Sequence, residues 1–190
     1  SVQQEVMASS GLGVTDPGLA PLVEKRISAV IGALNEMVHG FDFARLLTLY
    51  YKAHCAGDDE TKAKVLKWFR GEYATKTEAR QELGVNIVIT DDDWYEYLKL
   101  FACFLKQAGY AGMLILIDEL VNIYKIPNAI TRQYNYEKIL TMYNDAMQGK
   151  AQYLGFILCG TPQCMEDPRR GVYSYEALRS RLAEGHFSGE

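Results

Sequence analysis

The sequence is poor in the features that mark membrane, secreted and disordered proteins. Its 190 residues include 5 prolines and 4 cysteines, and no two cysteines form a Cys-x-x-Cys pair. No apolar run approaches the roughly 20 residues that span a bilayer, and no basic-then-apolar signal segment opens the chain. These absences argue against a zinc site of the Cys-x-x-Cys type and against a transmembrane helix. We expect a soluble, cytoplasmic protein with reduced cysteines.

The chain also has no excess of positive charge. Lysine and arginine number 20 against 24 aspartates and glutamates, which gives a net charge of −4. A protein that coats DNA without sequence preference needs a positive electrostatic field, so this charge balance argues against such a protein. Binding of DNA through a local basic patch is still compatible with the sequence. Apolar residues make up 48% of the sequence, which is typical of a chain that folds around a core.

Turn and helix signals divide the chain into four regions. Residues 1–20 are small and turn-rich, as in Asp16-Pro17-Gly18, and predict a flexible segment. Residues 21–108 predict a helical region, and residues 109–184 predict a strand-helix-strand part. Residues 185–190 predict a tail.

Apolar residues spaced by three and four positions predict the helices of the second region. The predicted helices cover 23–38, a stretch around 43–50, 59–69, 78–83, and a span from Trp94 to just before Gly109. In the helix over 59–69 we expect Leu66 and Phe69 to face inward. A short β-branched run over 86–89 is compatible with a strand or with an extended linker.

Three consecutive aspartates, residues 91–93, precede the predicted helix that starts at Trp94. Such a cluster can bind a metal ion. Alternatively, the carboxylates can accept hydrogen bonds from the free N–H groups of the helix start and offset its dipole. The physics of helix capping favours the second interpretation.

The last third of the chain carries two apolar strands on either side of a helix. Residues 113–117 are apolar without alternation, a helix is predicted over 131–148, and residues 153–159 form a second apolar run. Continuous apolar strands are typical of a parallel sheet that is covered on both faces and joined by a right-handed crossover. Two strands need neighbours, so we expect either further strands, near 2–6 and 86–89, or an oligomer that covers the exposed edge.

Acidic and hydroxyl residues follow these two strands directly, where ligands of an open α/β sheet bind. Asp118-Glu119 has the form of a Walker B motif, in which Asp118 holds nucleotide-bound Mg²⁺ and Glu119 polarises the attacking water. Thr161 occupies the position where P-loop ATPases of the AAA-like group place a sensor for the γ-phosphate. The alternatives are a buried strand that surfaces at an acidic residue and an ordinary Gly-Thr-Pro turn.

Two arginines, Arg169 and Arg170, lie downstream of the second strand. An arginine presented in trans can stabilise a transferring phosphoryl group, and a solvated or ion-paired arginine is the alternative. The phosphate loop Gly-x-x-x-x-Gly-Lys-Ser/Thr is absent from the sequence. Because this loop precedes Walker B in such folds and the chain opens on Ser1 instead of methionine, we expect an upstream segment of the same protein to supply it. We expect this chain alone to bind nucleotide weakly or not at all.

Several short blocks of the sequence resemble one family. These blocks are Leu83-Gly84-Val85, Asp93-Trp94-Tyr95, Ala108-Gly109-Tyr110-Ala111-Gly112, Asp118-Glu119, Gly160-Thr161-Pro162, Glu166-Asp167-Pro168-Arg169-Arg170-Gly171 and Ser174-Tyr175-Glu176-Ala177-Leu178-Arg179. Over about residues 40–182 the chain resembles the BREX-associated ATP-binding family, the BrxC/BrxD-like P-loop proteins. The resemblance implies an AAA-type ATPase fold, Asp118 and Glu119 as Walker B, Thr161 as the sensor, and nucleic-acid-linked work in phage defence.

The sequence therefore predicts an α/β fold in which a partial P-loop NTPase sheet of the AAA-like type follows a large, mainly helical N-terminal half. The predicted function is binding and hydrolysis of ATP with Mg²⁺, with catalytic roles for Glu119, Thr161, Arg169 and Arg170 and with the metal on Asp118. A homo-oligomer stays open. The alternative function is a non-catalytic helical module that docks onto a partner.

Overall fold

A computed structural model of the protein describes residues 2–182, so the predicted tail over 185–190 lies outside the described residues. The chain divides into two compact units, Ser1–Met113 and Leu114–Glu190, which we call unit 1 and unit 2. Across the described residues, every helix is too short or too polar to cross a membrane.

The fold is mostly helical and includes one small parallel sheet of two strands, which agrees with the predicted α/β class. The helices of unit 1 are α1 (Val2–Ser10), α2 (Leu19–Leu34), α3 (Gly40–Ala56), α4 (Asp59–Phe69), α5 (Lys76–Leu83) and α6 (Trp94–Gln107). They are followed by β1 (Met113–Ile117), α7 (Val121–Lys125), α8 (Ala129–Met147), β2 (Leu154–Leu158), α9 (Pro162–Glu166), a 3₁₀ turn (Val172–Ser174) and α10 (Glu176–Leu182).

Unit 1 is built around an aromatic and aliphatic core. Its buried members are Leu34, Phe43, Leu46, Val65, Trp68, Tyr73, Ala79, Leu83, Val85, Tyr97 and Leu100. The rings of Trp68 and Tyr97 pack edge to face with their centroids 5.3 Å apart. Trp68 also donates its indole N–H to the carbonyl oxygen of Ile87 over 2.9 Å, so the buried indole has both apolar neighbours and a hydrogen-bond partner.

Side-chain caps fix where two helices of this unit begin. The carboxylate of Asp58 accepts the backbone N–H of Thr61 at 3.0 Å, and the hydroxyl of Thr75 accepts that of Glu78 at 3.2 Å. Such caps satisfy N–H groups that have no partner inside the helix. The predicted span 59–69 for α4 is confirmed at both ends.

The N-terminal segment differs from the prediction. The sequence predicts a flexible segment over 1–20 and a strand near 2–6, but α1 occupies Val2–Ser10. Val6 is buried in a small apolar cluster with residues of α2. This tertiary contact stabilises a helix that the local sequence alone favours only weakly. The hydroxyl of Ser10 donates to the carbonyl oxygen of Val6 over 2.7 Å, so the serine run lies at a helix end and not in a loop.

Of the two alternatives for residues 86–89, the structure has the linker. These residues form no strand, and the carbonyl oxygen of Ile87 accepts the indole N–H of Trp68.

The prediction that Leu66 of α4 faces inward is wrong, because Leu66 is 41% exposed and the buried residues of this helix are Val65 and Trp68. The prediction for Phe69 is confirmed, because its ring packs against the core 5.2 Å from that of Phe43. The inward stripe runs through positions three apart, which turns Leu66 to the flank.

Asp93 stands at the N-cap position of α6 but does not make the predicted capping hydrogen bond. Instead, Oδ1 accepts the backbone N–H of Thr90 at 2.6 Å and the Thr90 hydroxyl at 2.9 Å, which closes the turn before the helix. Within residues 2–182, no group of three or more potential metal ligands lies together.

In unit 2 the two predicted strands pair directly with each other, and α7 and α8 form the connection between them. The strands are not covered on both faces as the sequence predicts. Leu114 is 58% exposed, Leu116 is 65% exposed and Ile157 is 45% exposed. Parallel strands are normally buried on both sides, so the apolar face formed by these three residues is open in this chain.

We expect Trp68→Ala to destabilise the chain by about 3–5 kcal/mol, because it leaves a large cavity and an unpaired carbonyl at Ile87. Leu66→Ala, two residues away on the exposed flank of α4, serves as the matched control, with an expected loss of less than about 1 kcal/mol. Urea unfolding followed by circular dichroism measures both values. Equal losses for the two variants would contradict the assigned register of α4.

Candidate functional site

Two backbone hydrogen bonds join the segments that follow β1 and β2. Cys159 donates its N–H to the carbonyl oxygen of Ile117 over 2.9 Å, and Leu120 donates its N–H to the carbonyl oxygen of Cys159 over 3.0 Å. The pairing therefore continues past the strands. It sets the segment 118–119 beside the segment 160–161 at the carboxyl edge of the sheet.

Asp118 and Glu119 form a tight, exposed turn. Oδ1 of Asp118 accepts the backbone N–H of Glu119 at 2.8 Å, and Oε2 of Glu119 accepts the side-chain amide of Asn122 at 3.2 Å. Glu119 has a φ of 58°, a left-handed conformation that strains a residue other than glycine by about 1–2 kcal/mol. One oxygen of each carboxylate is left for solvent or a ligand.

Thr161 caps the start of α9. Its hydroxyl oxygen accepts the backbone N–H of Cys164 at 3.3 Å, and Pro162 occupies the first turn of the helix. Gly160 is required by packing, because a Cβ there would lie 2.5 Å from Sγ of Cys164 and 3.3 Å from Cβ of Leu120. The Gly-Thr-Pro block therefore has a structural role, and the O–H of Thr161 is still able to donate.

The segment that carries the two arginines is organised by one carboxylate. Oδ1 of Asp167 accepts the backbone N–H groups of Arg169 at 2.8 Å and Arg170 at 3.0 Å, and Oδ2 accepts the hydroxyl of Tyr124 at 3.1 Å. These hydrogen bonds, that from Arg169 above all, hold the pKa of Asp167 below its ordinary 3.8. A Cβ at Gly171 would lie 2.8 Å from the carbonyl oxygen of Asp167, so this tight turn needs a glycine.

The two neighbouring arginines have different surroundings. Arg170 donates from Nη2 to the carbonyl oxygen of Ile126 over 3.2 Å, and its guanidinium lies 5.4 Å from the ring centroid of Tyr124. Its Nε is buried without a hydrogen-bond partner among the described residues. Arg169 is exposed, and its guanidinium makes no hydrogen bond or ion pair within the described part of the chain. Of the two, Arg169 is the one free to meet a ligand.

The structure therefore brings together some of the predicted site residues and not others. Asp118, Glu119 and Thr161 share the carboxyl edge of the sheet through the backbone bonds of Cys159. No hydrogen bond or ion pair within residues 2–182 links this edge to the side chains of Arg169 or Arg170.

Sequence reasoning missed Arg132, which is only 9% exposed. It donates from Nη1 to the carbonyl oxygen of Ile126 over 2.7 Å, the same oxygen that accepts Arg170. A signal exists in the sequence: Arg132 precedes Tyr136 by one helical turn, on the face of α8 that is buried. Tyr136 in turn donates its hydroxyl to the carbonyl oxygen of Arg170 over 2.7 Å, and burial raises the pKa of Tyr136 to about 12, which keeps it a donor.

Comparison with known protein families identifies the family of the chain. The family model described as BREX system ATP-binding protein BrxC/D matches residues 1–190, the whole chain. No curated protein and no solved structure matches.

We expect Asp167→Asn to lower the stability of the chain at neutral pH, because a neutral amide is a weaker acceptor for the N–H groups of Arg169 and Arg170. The folded-state pKa of Asp167 lies below 3.8, so its contribution is complete above 3.8 and is lost as the pH falls through the folded-state pKa. The gap in urea midpoint between wild type and variant should therefore shrink between neutral pH and about pH 3. Glu166→Gln, next to it in sequence and exposed, is the control. A gap that does not change with pH would contradict this role of Asp167.

Proposed function

The chain belongs to the BREX system ATP-binding BrxC/D family, and on that premise we propose that unit 2 supplies the carboxylate side of an ATP site that hydrolyses ATP in the BREX phage-defence system. One observation carries the proposal above all. The segments that follow β1 and β2, with Asp118, Glu119 and Thr161, lie side by side through the backbone bonds of Cys159. In open α/β sheets this is the edge at which ligands bind.

The residues at this edge fit a magnesium ion that arrives with nucleotide phosphates. Mg²⁺ usually takes one or two protein carboxylates and fills its remaining positions with water and phosphate oxygens. Asp118 is exposed, and Oδ1 is the oxygen that accepts a hydrogen bond, so Oδ2 is available to hold the ion. When bound, Mg²⁺ neutralises negative charge on the β- and γ-phosphate oxygens.

Glu119 and Thr161 have hydrogen-bonding capacity left for the reaction. Asn122 holds Oε2 of Glu119 at 3.2 Å, which leaves Oε1 to accept a proton from the attacking water as a general base. The oxygen of Thr161 accepts the N–H of Cys164, so its O–H can donate to an oxygen of the γ-phosphate. Positioned donors of this kind stabilise the charge that develops during phosphoryl transfer.

The two arginines take different parts in this proposal. Arg169 is exposed and unengaged, so it is the candidate to reach a phosphoryl group in trans, where such an arginine accelerates transfer. Arg170 is a positioning residue, because its guanidinium binds the carbonyl oxygen of Ile126 and lies over the ring of Tyr124.

The sequence contains no phosphate loop, so we infer that another segment of the same protein supplies it. The open apolar face formed by Leu114, Leu116 and Ile157 supports this inference, because further strands would bury it. A homo-oligomer is a second way to cover this sheet. The net charge of −4 gives no support for DNA as a partner.

Unit 1 favours a second candidate function. Its helices enclose a core of their own around Phe43, Trp68 and Leu100, and it contains none of the residues of the proposed site. Unit 1 would then be a non-catalytic helical module that docks onto a partner, independent of nucleotide.

The direct test is an ATPase assay on the intact protein that carries this chain. We expect Glu119→Gln to lower the rate by about 10²-fold or more, because the amide cannot accept a proton from water. Glu166→Gln removes an exposed carboxylate of the same unit that has no proposed role, and it should keep the wild-type rate. A Glu119→Gln protein that hydrolyses ATP at the wild-type rate would contradict the proposal and favour the helical module.

A further inference from the structure

Unit 2 contains a polar cavity with a volume of about 390 Å³, between the start of α8 and residues 168–175. The residues that line it and matter here are Arg132, Gln133, Tyr136, Arg169, Ser174 and Tyr175. Two arginines contribute to the lining and no carboxylate does. Asp118, Glu119 and Thr161 are not part of the lining, so the cavity is separate from the carboxyl edge of the sheet.

Arg132 is a charged side chain that is buried without a counter-ion. It is 9% exposed, and it donates to a single neutral acceptor, the carbonyl oxygen of Ile126 at 2.7 Å. No carboxylate within residues 2–182 forms an ion pair with it. A guanidinium offers several further N–H donors, and a buried charge is unfavourable unless it is paired. An anion in the cavity would supply the missing partner.

Three other polar groups of the lining are already engaged. Tyr136 donates its hydroxyl to the carbonyl oxygen of Arg170, Ser174 donates to the carbonyl oxygen of Gly171 at 2.6 Å, and Gln133 donates to Glu137 at 3.3 Å. Within the described residues, the two guanidinium groups and the hydroxyl of Tyr175 keep donors for a ligand, and Gln133 keeps its second N–H. The charged groups that line the cavity are both positive.

We propose that this cavity binds the phosphoryl group of a small phosphorylated ligand, held between Arg132 and Arg169 with Tyr175 as a further donor. Guanidinium groups match phosphate oxygens in pairs of parallel hydrogen bonds. The cavity adjoins Ala129, the first residue of α8, where the helix dipole favours negative charge. Its volume is that of a small-molecule site, which favours a free nucleotide or pyrophosphate over the continuous backbone of a nucleic acid.

This inference does not depend on the proposed ATP site. A ligand in the cavity would hold the side chain of Arg169 there. To contact a phosphoryl group bound by another chain, that side chain would have to leave the cavity. Variants of Arg132 separate the two, because Arg132 lines the cavity and is not one of the residues of the proposed ATP site.

The test is calorimetric titration of inorganic pyrophosphate into the full chain, with chelator present so that no Mg²⁺ contributes. We expect saturable binding that Arg169→Gln weakens by about tenfold or more. Arg179→Gln makes the same charge change on an exposed residue of α10 outside the cavity and should leave the affinity unchanged. Arg132→Lys keeps the charge but not the paired donors, and it should also weaken binding. Asp118 does not line the cavity, so Asp118→Ala should leave the affinity for pyrophosphate unchanged under these conditions.

Three results would overturn the proposal. The first is the absence of saturable pyrophosphate binding to the wild-type chain. The second is an equal loss of affinity in Arg169→Gln and Arg179→Gln, which would indicate a general charge effect. The third is a single-stranded DNA oligonucleotide that binds with dependence on Arg169 while pyrophosphate does not, which would assign these arginines to a nucleic-acid backbone. Because Arg169 is exposed, its variant should fold even if a variant of the buried Arg132 does not.

Discussion

The arrangement of unit 2 depends on the backbone of Cys159. Its N–H binds the carbonyl oxygen of Ile117, and its carbonyl oxygen binds the N–H of Leu120. The first bond is made to the last residue of β1 and the second lies beyond the strand, so together they hold the two segments that leave the sheet side by side. The side chains of these segments reach only a few ångströms. The two hydrogen bonds of Cys159 therefore determine which polar groups can contact the same ligand.

Close packing around Cys159 explains why glycine and threonine follow it in the sequence. Gly160 has no room for a Cβ, since Cys164 and Leu120 approach it too closely. Thr161 then begins α9 as its cap, which fixes the hydroxyl at the carboxyl edge. On the segment that follows β1, Glu119 is held in a strained backbone conformation with a positive φ. Strain of this kind is tolerated where the surrounding structure fixes a residue in place, and functional sites are common among such places.

A second polar network holds the arginine segment. Asp167 binds two backbone N–H groups and the hydroxyl of Tyr124, and the carbonyl oxygen of Ile126 accepts both Arg132 and Arg170. The cavity next to this network is lined by Arg132 and Arg169 and by no carboxylate, and the proposed phosphoryl site rests on that arrangement.

Much of the fold could be predicted because the signals that determine it are local. The cap at Asp58 and the apolar run of β1 each depend on residues that are adjacent in the sequence. The sequence therefore predicts α4 and β1 at their observed bounds. The helix α1 and the outward position of Leu66 could not be predicted, because they depend on contacts with residues distant in sequence.

The candidate site divides in the same way. Asp118, Glu119 and Thr161 could be placed at one edge, since parallel strands have their carboxyl ends together. The difference between Arg169 and Arg170 depends on Tyr124 and Ile126, more than 40 residues upstream, and local sequence carries no signal of it. The exposure of Leu114 and Leu116 could not be predicted either, because a continuous apolar run does not show which elements cover its two faces.

Hydrogen exchange of the intact protein, measured with and without Mg-ATP, shows whether ATP binds at the carboxyl edge of the sheet as proposed. When Mg-ATP is present, we predict slower exchange of the backbone amides of residues 118–120, 160, 161, 163 and 164, and we predict loss of this protection in Asp118→Ala. If the protein binds ATP but the exchange at these amides does not change, the nucleotide binds elsewhere and the proposed ATP site is wrong.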